Sequence, residues 1–231
     1  MPTYLFLLNF IKLTQLRIGG KITNLIKACE FILKVVVFFS LNSYYLRMSD
    51  IIVSITGASG FIYGLKALEL LKKAEARTHL IISKGAELSA KAEGMDVRAA
   101  ARLADRVYDS EDMAAPVASG SFITDGMLIA PCSMRTLSAV ATGNSYNLVA
   151  RAADVMLKER RKLVLMTREA PLSTLHIENM LKVSRMGAVI CPPVPAFYTK
   201  PATVDDIVTF SVARALDQFG IKADIPRWGQ Q

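Results

Sequence analysis

Hydroxyl groups, glycines and charged side chains follow four short apolar runs in this sequence. They occur at Thr56-Gly57-Ala58-Ser59-Gly60, Ser83-Lys84-Gly85, Pro131-Cys132-Ser133-Met134-Arg135-Thr136 and Arg168-Glu169-Ala170-Pro171. Small residues let backbone N–H groups approach an anion closely, and hydroxyl and guanidinium groups add hydrogen-bond donors. These residue types are suited to holding the phosphate of a cofactor. For the first group, a simple strand-to-helix turn is the alternative interpretation.

The four groups can act together only if the fold brings the ends of the apolar runs to one place. The runs "IIVSIT", "THLIIS", "GMLIAP", "KLVLMT" and "GAVICP" predict strands that are buried on both faces. Segments 61–76, 136–143, 147–161 and 173–185 lie between them and carry apolar residues at helical spacing. This alternation predicts an α/β fold: a doubly wound parallel sheet, Rossmann-like, in a single domain. In such sheets the ligand binds beyond the carboxyl ends of the strands.

The glycine spacing favours a mononucleotide over a dinucleotide. "TGASGFIYG" has the pattern G-x-x-G-x-x-x-G, and Ser83-Lys84 follow the second strand, where an NAD site would carry an acid for the ribose. No tyrosine of the chain is followed four residues later by lysine, the pairing that a short-chain dehydrogenase would use. The sequence therefore disfavours NAD.

Charge divides the chain near residue 48. The formal net charge is +8, and residues 1–47 hold six basic side chains against the single acid Glu30, so they contribute +5. The rest of the chain is close to neutral, which argues against a nucleic-acid partner. We interpret residues 1–47 as an N-terminal extension outside a core fold of residues 48–231. A membrane-surface helix and an organelle address are the alternatives for this extension.

Membrane insertion, disulfides and a metal centre are not expected. The apolar stretch "FILKVVVFFSL" is interrupted by Lys34 and is shorter than the roughly 20 residues that a spanning helix needs. Cys29, Cys132 and Cys191 are far apart in the sequence, and the only histidines are His79 and His176. These counts argue against a disulfide framework and a multi-histidine metal site, and they fit a reducing compartment, the cytoplasm.

Several motifs in a fixed order resemble one protein family. They are "TGASGFIYG", "ASGSF", "PCSMRTLSAVATG", "NLVARAADVMLKERR", "LVLMTREAPLSTLHIENM", "GAVICPPVPAFY", "ARALDQFGI" and "PRWGQ". Together they resemble the flavin prenyltransferases of the UbiX type, over nearly the whole segment from Met48 to residue 230. The resemblance implies transfer of a dimethylallyl group from dimethylallyl phosphate to N5 and then C6 of reduced FMN, without a metal. It also implies a UbiD-type decarboxylase as recipient of the prenylated FMN, and a homo-oligomer, a dodecamer, with active sites at subunit junctions.

The same resemblance assigns roles to individual residues. Glu169 and Ser59 are the expected catalytic residues. The residues expected to bind FMN are Gly57, Ala58, Ser59, Ser83, Ser133, Met134, Arg135, Thr136 and Arg168. The residues expected to surround dimethylallyl phosphate are Arg151, Lys158, Tyr198, Arg214 and Trp228.

The chemistry of an allylic phosphate agrees with these substrate-binding residues. Its departure is favoured when cations and hydrogen bonds meet the developing negative charge, and aromatic faces attract an allyl cation. Asp205-Asp206 do not continue into a D-D-x-x-D motif, which argues against a magnesium-diphosphate site. For Lys158, a solvated helix end or a surface pair with Asp154 remains an alternative.

Glu169 is suited to proton transfer as a lone carboxylate at a strand end. An ion pair with Arg168, or a cap for the helix that begins near Ser173, is the alternative for this residue.

Two other functions of the whole protein also remain as alternatives. One is an FMN-dependent cysteine decarboxylase of the same superfamily, which would carry P-A-(S/N)-A-N-T where this chain has "PCSMRT". The other is a non-catalytic FMN carrier, which has no use for a phosphate-binding set of Arg, Lys and Tyr.

Overall fold

The computed structural model describes residues 48–229. Its strands are β1 (Asp50–Ile55), β2 (Arg77–Ile82), β3 (Arg106–Asp109), β4 (Gly126–Cys132), β5 (Lys162–Thr167) and β6 (Val189–Ile190). Its helices are α1 (Phe61–Lys73), α2 (Lys84–Ala92), α3 (Val97–Leu103), α4 (Met134–Thr142), α5 (Leu148–Lys158), α6 (Thr174–Arg185) and α7 (Val204–Leu216). The strands form one parallel sheet in the order β3-β2-β1-β4-β5-β6.

The direction of winding changes at the centre of this sheet. From β1 the chain proceeds outward through β2 to β3, and from β4 it proceeds outward through β5 to β6. The adjacent strands β1 and β4 are therefore followed by connections that lead to opposite halves of the sheet. A crevice forms at this switch point beyond the carboxyl ends of the strands, as the sequence predicts.

Helices cover both faces of the sheet. On one face α1 packs against α7, with Phe61, Leu68 and Val212 fully buried. On the other face α4, α5 and α6 bury Leu137 and Val183. Since both faces are covered, β1 and β4 are buried along their whole length, which explains why they are continuous apolar runs in the sequence.

The predicted doubly wound parallel sheet is confirmed, but four of its elements were not predicted from the sequence. β3 is a short edge strand with exposed Arg106, Val107 and Asp109, so it lacks an apolar run. α2 and α3 bury little more than alanines, which give weak periodicity, and α7 was quoted only in part as a family motif. The predicted strand "GAVICP" forms only the two-residue β6.

The predicted N-terminal extension, residues 1–47, lies outside the described residues, and Cys29 lies there too. Within residues 48–229, no helix combines the length and the apolar character that a membrane span requires.

Candidate functional site

The loops after β1, β2, β4 and β5 enclose a cavity of about 630 Å³ at the carboxyl edge of the sheet. This volume lies within the roughly 300–1,000 Å³ of small-molecule sites. All nine residues expected to bind FMN line this cavity, and so does Glu169. The other lining residues are Lys84, Gly85, Glu111, Tyr146 and Asn147. The strand-end groups seen in the sequence are thus brought together.

Thr56 joins the first and third loops of the cavity. Its hydroxyl donates to the carbonyl oxygen of Pro131 at 2.8 Å and accepts the backbone N–H of Ser133 at 2.8 Å. Its side chain is buried, so both bonds are shielded from water. The loop after β1 and the start of α4 are therefore held in a fixed spacing.

The first and second loops touch through two glycines. A Cβ atom on Gly57 would lie 3.0 Å from the Cα of Gly85, and a Cβ on Gly85 would lie 3.2 Å from the Cα of Gly57. Because backbone atoms cannot move aside as a flexible side chain can, this approach requires residues without a side chain. The glycines of the predicted cradle thus serve close loop packing.

The start of α1 already holds an anionic group of the protein, Glu93. Its carboxylate accepts the backbone N–H of Gly60 at 2.6 Å and that of Phe61 at 2.9 Å. Glu93 follows α2, and nothing in its local sequence indicates this role. A carboxylate at a helix N-terminus satisfies unpaired donors and complements the helix dipole. A phosphate in the cavity must therefore use other donors than these two N–H groups.

The serines at two other strand ends cap helices. Ser83 Oγ accepts the N–H of Ala86 at 3.2 Å at the start of α2, and Ser133 Oγ accepts the N–H of Thr136 at 3.3 Å at the start of α4. Ser133 Oγ also donates to Thr136 Oγ1 at 3.1 Å. These bonds orient the hydroxyls at the cavity wall, where Ser83 still has a proton to donate to a ligand.

Two arginines supply positive charge to the cavity. Arg168 follows β5 and its backbone N–H donates to the carbonyl oxygen of Cys132 at 3.2 Å. The Arg168 guanidinium lies near the Tyr63 phenol. Burial raises the pKa of this phenol, and the positive charge of Arg168 opposes the rise. Arg135, in the first turn of α4, lies over the ring of Tyr146 at 4.7 Å from Cζ to the ring centroid. Lys84 also lines the cavity, and its charge is paired with that of Glu111, with 3.7 Å between Lys84 Nζ and Glu111 Oε1.

Glu169 is available for chemistry in the cavity wall. One carboxylate oxygen accepts the N–H of Ala170 at 3.0 Å, and the residue is exposed. Neither structural alternative is observed: among the described residues Glu169 forms no ion pair with Arg168, and α6 is capped by Ser173 with the N–H of His176 at 3.3 Å. His176 completes that cap, because its Nδ1 accepts the N–H of Ser173 at 3.2 Å.

The residues expected to bind the substrate do not line this cavity. Arg151 and Lys158 lie on α5, where Arg151 donates to the carbonyl oxygen of Ala118 at 3.0 Å and to Asp154 at 2.9 Å. Lys158 forms an ion pair with Glu159, not with Asp154. Both side chains lie against the motif "ASGSF", which begins at Ala118, since Lys158 Nζ is 2.6 Å from where a Cβ atom on Gly120 would be.

The other three expected substrate residues form a second group. The ring of Tyr198 meets that of Trp228 edge to face, with centroids 5.1 Å apart. Arg214 pairs with Asp217, and it is close enough to Cys191, just after β6, to oppose the rise that burial causes in the pKa of that thiol. Trp228 is 79% exposed, so most of its surface is open to a partner or ligand.

Cys132 and His79 are buried and do not line the cavity. Burial raises the pKa of Cys132 to about 12, so its thiol stays protonated near neutral pH. His79 lies at the opposite end of the sheet, with Nε2 at 2.6 Å from Asp50 Oδ1. No group of three or more His, Cys, Asp or Glu side chains in this part of the chain is placed to hold a metal ion.

Comparison with known proteins shows the family of this chain. The flavoprotein family model matches residues 40–216. The flavin prenyltransferase UbiX of Neisseria meningitidis serogroup B is 56% identical over 180 residues, which covers 77% of this chain and 95% of the relative. The chain belongs to the flavoprotein family, in its UbiX branch.

Two solved structures resemble this UbiX chain closely. AnUbiX in complex with FMN and dimethylallyl pyrophosphate has a TM-score of 0.78 and 49% identity, covering 80% of this chain and all of the other. A dodecameric FMN-dependent UbiX-like decarboxylase from Escherichia coli O157:H7 has a TM-score of 0.76 and 50% identity, covering 78% of this chain and 98% of the other. Both likenesses extend over the region that forms the cavity.

Proposed function

We propose that this UbiX chain is a flavin prenyltransferase that transfers a dimethylallyl group from dimethylallyl phosphate to N5 and C6 of reduced FMN. One observation carries the proposal: the residues assigned to FMN and the carboxylate of Glu169 line a single cavity at the switch point of the sheet. The relatives named flavin prenyltransferases support the reaction. Reduced FMN supplies the nucleophilic positions, and the protein supplies binding and proton transfer.

The hydroxyl and guanidinium groups of the cavity are suited to hold the FMN phosphate. Ser59, Ser83, Ser133 and Thr136 offer hydroxyls, and Arg135 and Arg168 offer positive charge. Charge-assisted hydrogen bonds of this kind are the stronger ones in proteins. Gly57, Ala58 and Met134 contribute backbone and apolar contact at the same wall.

Two residues are assigned to catalysis. Glu169, whose exposed carboxylate lies in the cavity wall, would transfer protons at both steps. It would give one to the departing phosphate when the bond to N5 forms, with the N5–H proton replacing it, and at ring closure it would take the proton that leaves C6 and give it to the prenyl double bond. Ser59, in the loop after β1, orients the flavin through its hydroxyl.

The phosphate clamp, defined here as Arg151, Lys158, Tyr198 and Arg214, is supplied at a junction between subunits. The support is that these side chains lie outside the cavity of their own chain, in two separate groups. The dodecameric UbiX-like neighbour supports a homo-oligomer. Trp228 adds an exposed aromatic face that is suited to an allyl cation.

Anaerobic incubation with reduced FMN and dimethylallyl phosphate, followed by mass analysis of the flavin, tests the function. The expected product is heavier by one isoprene unit, and the Glu169→Gln variant is the matched control. A parallel reaction with dimethylallyl pyrophosphate, the ligand named in the AnUbiX complex, distinguishes the two leaving groups. Bound but unmodified FMN would instead support a carrier, and decarboxylation of a peptide with a C-terminal cysteine would support the other rival.

Three further proposals concern the surroundings of the reaction. The product activates a UbiD-type decarboxylase, which is tested by adding the product mixture to such an enzyme without cofactor.

The protein works in the cytoplasm, in agreement with the free thiols of Cys132 and Cys191, and cell fractionation tests this location. Residues 1–47 are dispensable, so a chain that starts at Met48 should bind FMN and prenylate it as the full chain does.

A further inference from the structure

The guanidinium of Arg135 lies over the aromatic ring of Tyr146, with Cζ 4.7 Å from the ring centroid. Both side chains line the 630 Å³ cavity, Arg135 from the first turn of α4 and Tyr146 from the connection between α4 and α5. A cation over an aromatic face is attracted by the ring quadrupole. The attraction fixes the direction of the arginine side chain at the rim of the cavity.

Helix ends hold the tyrosine on both sides. α4 ends at Gly143, which has the left-handed φ of 69°, and the N–H of Tyr146 donates to the carbonyl oxygen of Asn144 at 2.9 Å. The next residue, Asn147, caps α5 by accepting the N–H of Ala150 at 3.0 Å. Tyr146 therefore lies in a short connection between two fixed helix termini.

The charge of Arg135 is left uncompensated by this arrangement. Arg151 and Arg214 each pair with an aspartate, whereas Arg135 has no carboxylate partner among residues 48–229. A carboxylate would orient a guanidinium but would also compete with an anionic ligand. An aromatic face orients it while leaving its N–H groups at the edge free for the paired hydrogen bonds that a phosphate accepts.

A second, smaller cavity is also within reach of the Arg135 side chain. It has a volume of about 270 Å³ and is lined by Ser138, Ala139, Thr142 and Asn144 together with Arg135 and Tyr146. The stacked pair thus lies between the two cavities. Without the ring, the side chain of Arg135 can turn into the smaller cavity and away from the larger one.

We propose that Tyr146 is a positioning residue that holds Arg135 at the cavity rim for binding a phosphate monoester. The inference rests on the proposed function, which provides two such groups, the phosphate of FMN and that of dimethylallyl phosphate. Tyr146 acts through Arg135 and need not touch the ligand. The pair therefore contributes to selection of FMN over riboflavin, which has the same ring system without the phosphate.

A double-mutant cycle read with two flavins tests this proposal. FMN and riboflavin are titrated against the full chain and against Tyr146→Ala, Arg135→Ala and the double variant. Tyr146→Ala should weaken FMN binding about two- to fivefold, the range for a cation–π contact at an exposed site. Arg135→Ala should weaken it about tenfold or more. In the Arg135→Ala background, removal of the ring should have no further effect.

The conservative variant and the second flavin separate positioning from general damage. Tyr146→Phe keeps the aromatic face and should bind FMN as the unchanged protein does. Riboflavin affinity should be equal in all variants. If dimethylallyl phosphate and not FMN loses affinity in the Tyr146→Ala and Arg135→Ala variants, the pair still binds a phosphate monoester, and the substrate is its source.

Three outcomes would overturn the inference. Additive losses in the double variant would show that the two residues act independently. An equal loss of riboflavin would place the ring against the flavin itself. Unchanged affinities for FMN and for dimethylallyl phosphate in Tyr146→Ala would remove the positioning role, and prenylation by the unchanged protein in the same experiment would leave the proposed function intact.

Discussion

Glu93 and Gly60 are 33 residues apart in the sequence, and the carboxylate of Glu93 accepts the N–H of Gly60 at 2.6 Å. The same carboxylate accepts the N–H of Phe61, so it closes the N-terminus of α1 where the glycine-rich loop ends. An intramolecular anion thus stands where the sequence pattern suggests a phosphate. The glycine-rich loop contributes the Ser59 hydroxyl to the cavity and packs closely against Gly85. The N-terminus of α1, which is capped by Glu93, contributes to stability.

The first prediction concerns this cap. Glu93→Gln keeps one acceptor but removes the charge, and it should lower the free energy of unfolding by about 0.5–2 kcal/mol. Urea denaturation followed by circular dichroism measures the change. Glu178→Gln on α6 is the matched control, since Glu178 is exposed, lies beyond the first turn of its helix and accepts no hydrogen bond from another part of the described chain. Equal stabilities of the two variants would contradict the capping role.

The second prediction separates the FMN cavity from the phosphate clamp. Arg168→Ala should weaken FMN binding by about 1–3 kcal/mol, because it removes a charged donor from the cavity wall. Arg214→Ala should leave FMN affinity unchanged and raise the Michaelis constant for dimethylallyl phosphate, since Arg214 lies outside that cavity. Flavin titration and steady-state kinetics give the two values. Release of FMN by the Arg214 variant alone would reverse these assignments.

The third prediction concerns proton transfer. Glu169→Gln is nearly isosteric and can still accept the N–H of Ala170, so stability and flavin affinity should stay as they are. Product formation should slow by about 100-fold or more, the range for loss of a positioned acid or base. Anaerobic single-turnover experiments with mass analysis of the flavin measure the rate. A rate near that of the unchanged protein would leave the bound phosphate as the proton acceptor.

The fourth prediction concerns acid stability. Hydrogen bonds from Arg227, with a smaller contribution from Arg214, lower the pKa of Asp217 in the folded protein. A lowered carboxyl pKa stabilises the fold above the unfolded value of about 4, and this stabilisation is lost as the pH falls through the folded value. Asp217→Asn should therefore be less stable at pH 7 and should lose less stability on acidification towards pH 3.

Thermal unfolding at a series of pH values checks the fourth prediction. Asp224→Asn is the control, because Asp224 is exposed and forms no ion pair in the described residues. A pH dependence in Asp217→Asn that matches the unchanged protein would show that the Arg227 contact does not persist in solution.

The wall of the cavity could be predicted from the sequence because strand ends are a local signal. Apolar runs mark the buried strands, and the parallel topology then brings the residues after them to one edge. Ser59, Ser133 and Arg168 are found in this way. Glu93 and Tyr146 could not be found, since the first acts on a helix 32 residues away and the second through a side chain of another element.

The residues expected to surround the substrate show a different limit of sequence reasoning. Motif resemblance places Arg151 and Arg214 in one binding site, yet the fold of a single chain carries them on α5 and α7, with their own aspartate partners. A sequence does not reveal which residues meet only between subunits, where we propose that these two act. The same holds for β3, whose exposed side chains give no apolar pattern because it lies at the sheet edge.

The separation of Glu169 from Arg214 has a genetic consequence. At a junction that takes its acid from one chain and its clamp from a neighbour, two strongly impaired variants can complement each other. In hybrids formed from equal amounts of Glu169→Gln and Arg214→Ala chains, about a quarter of the junctions would be assembled from the two intact halves. Oligomers of either variant alone would stay impaired at low concentrations of dimethylallyl phosphate, and co-expression would rescue a strain that neither variant supports by itself.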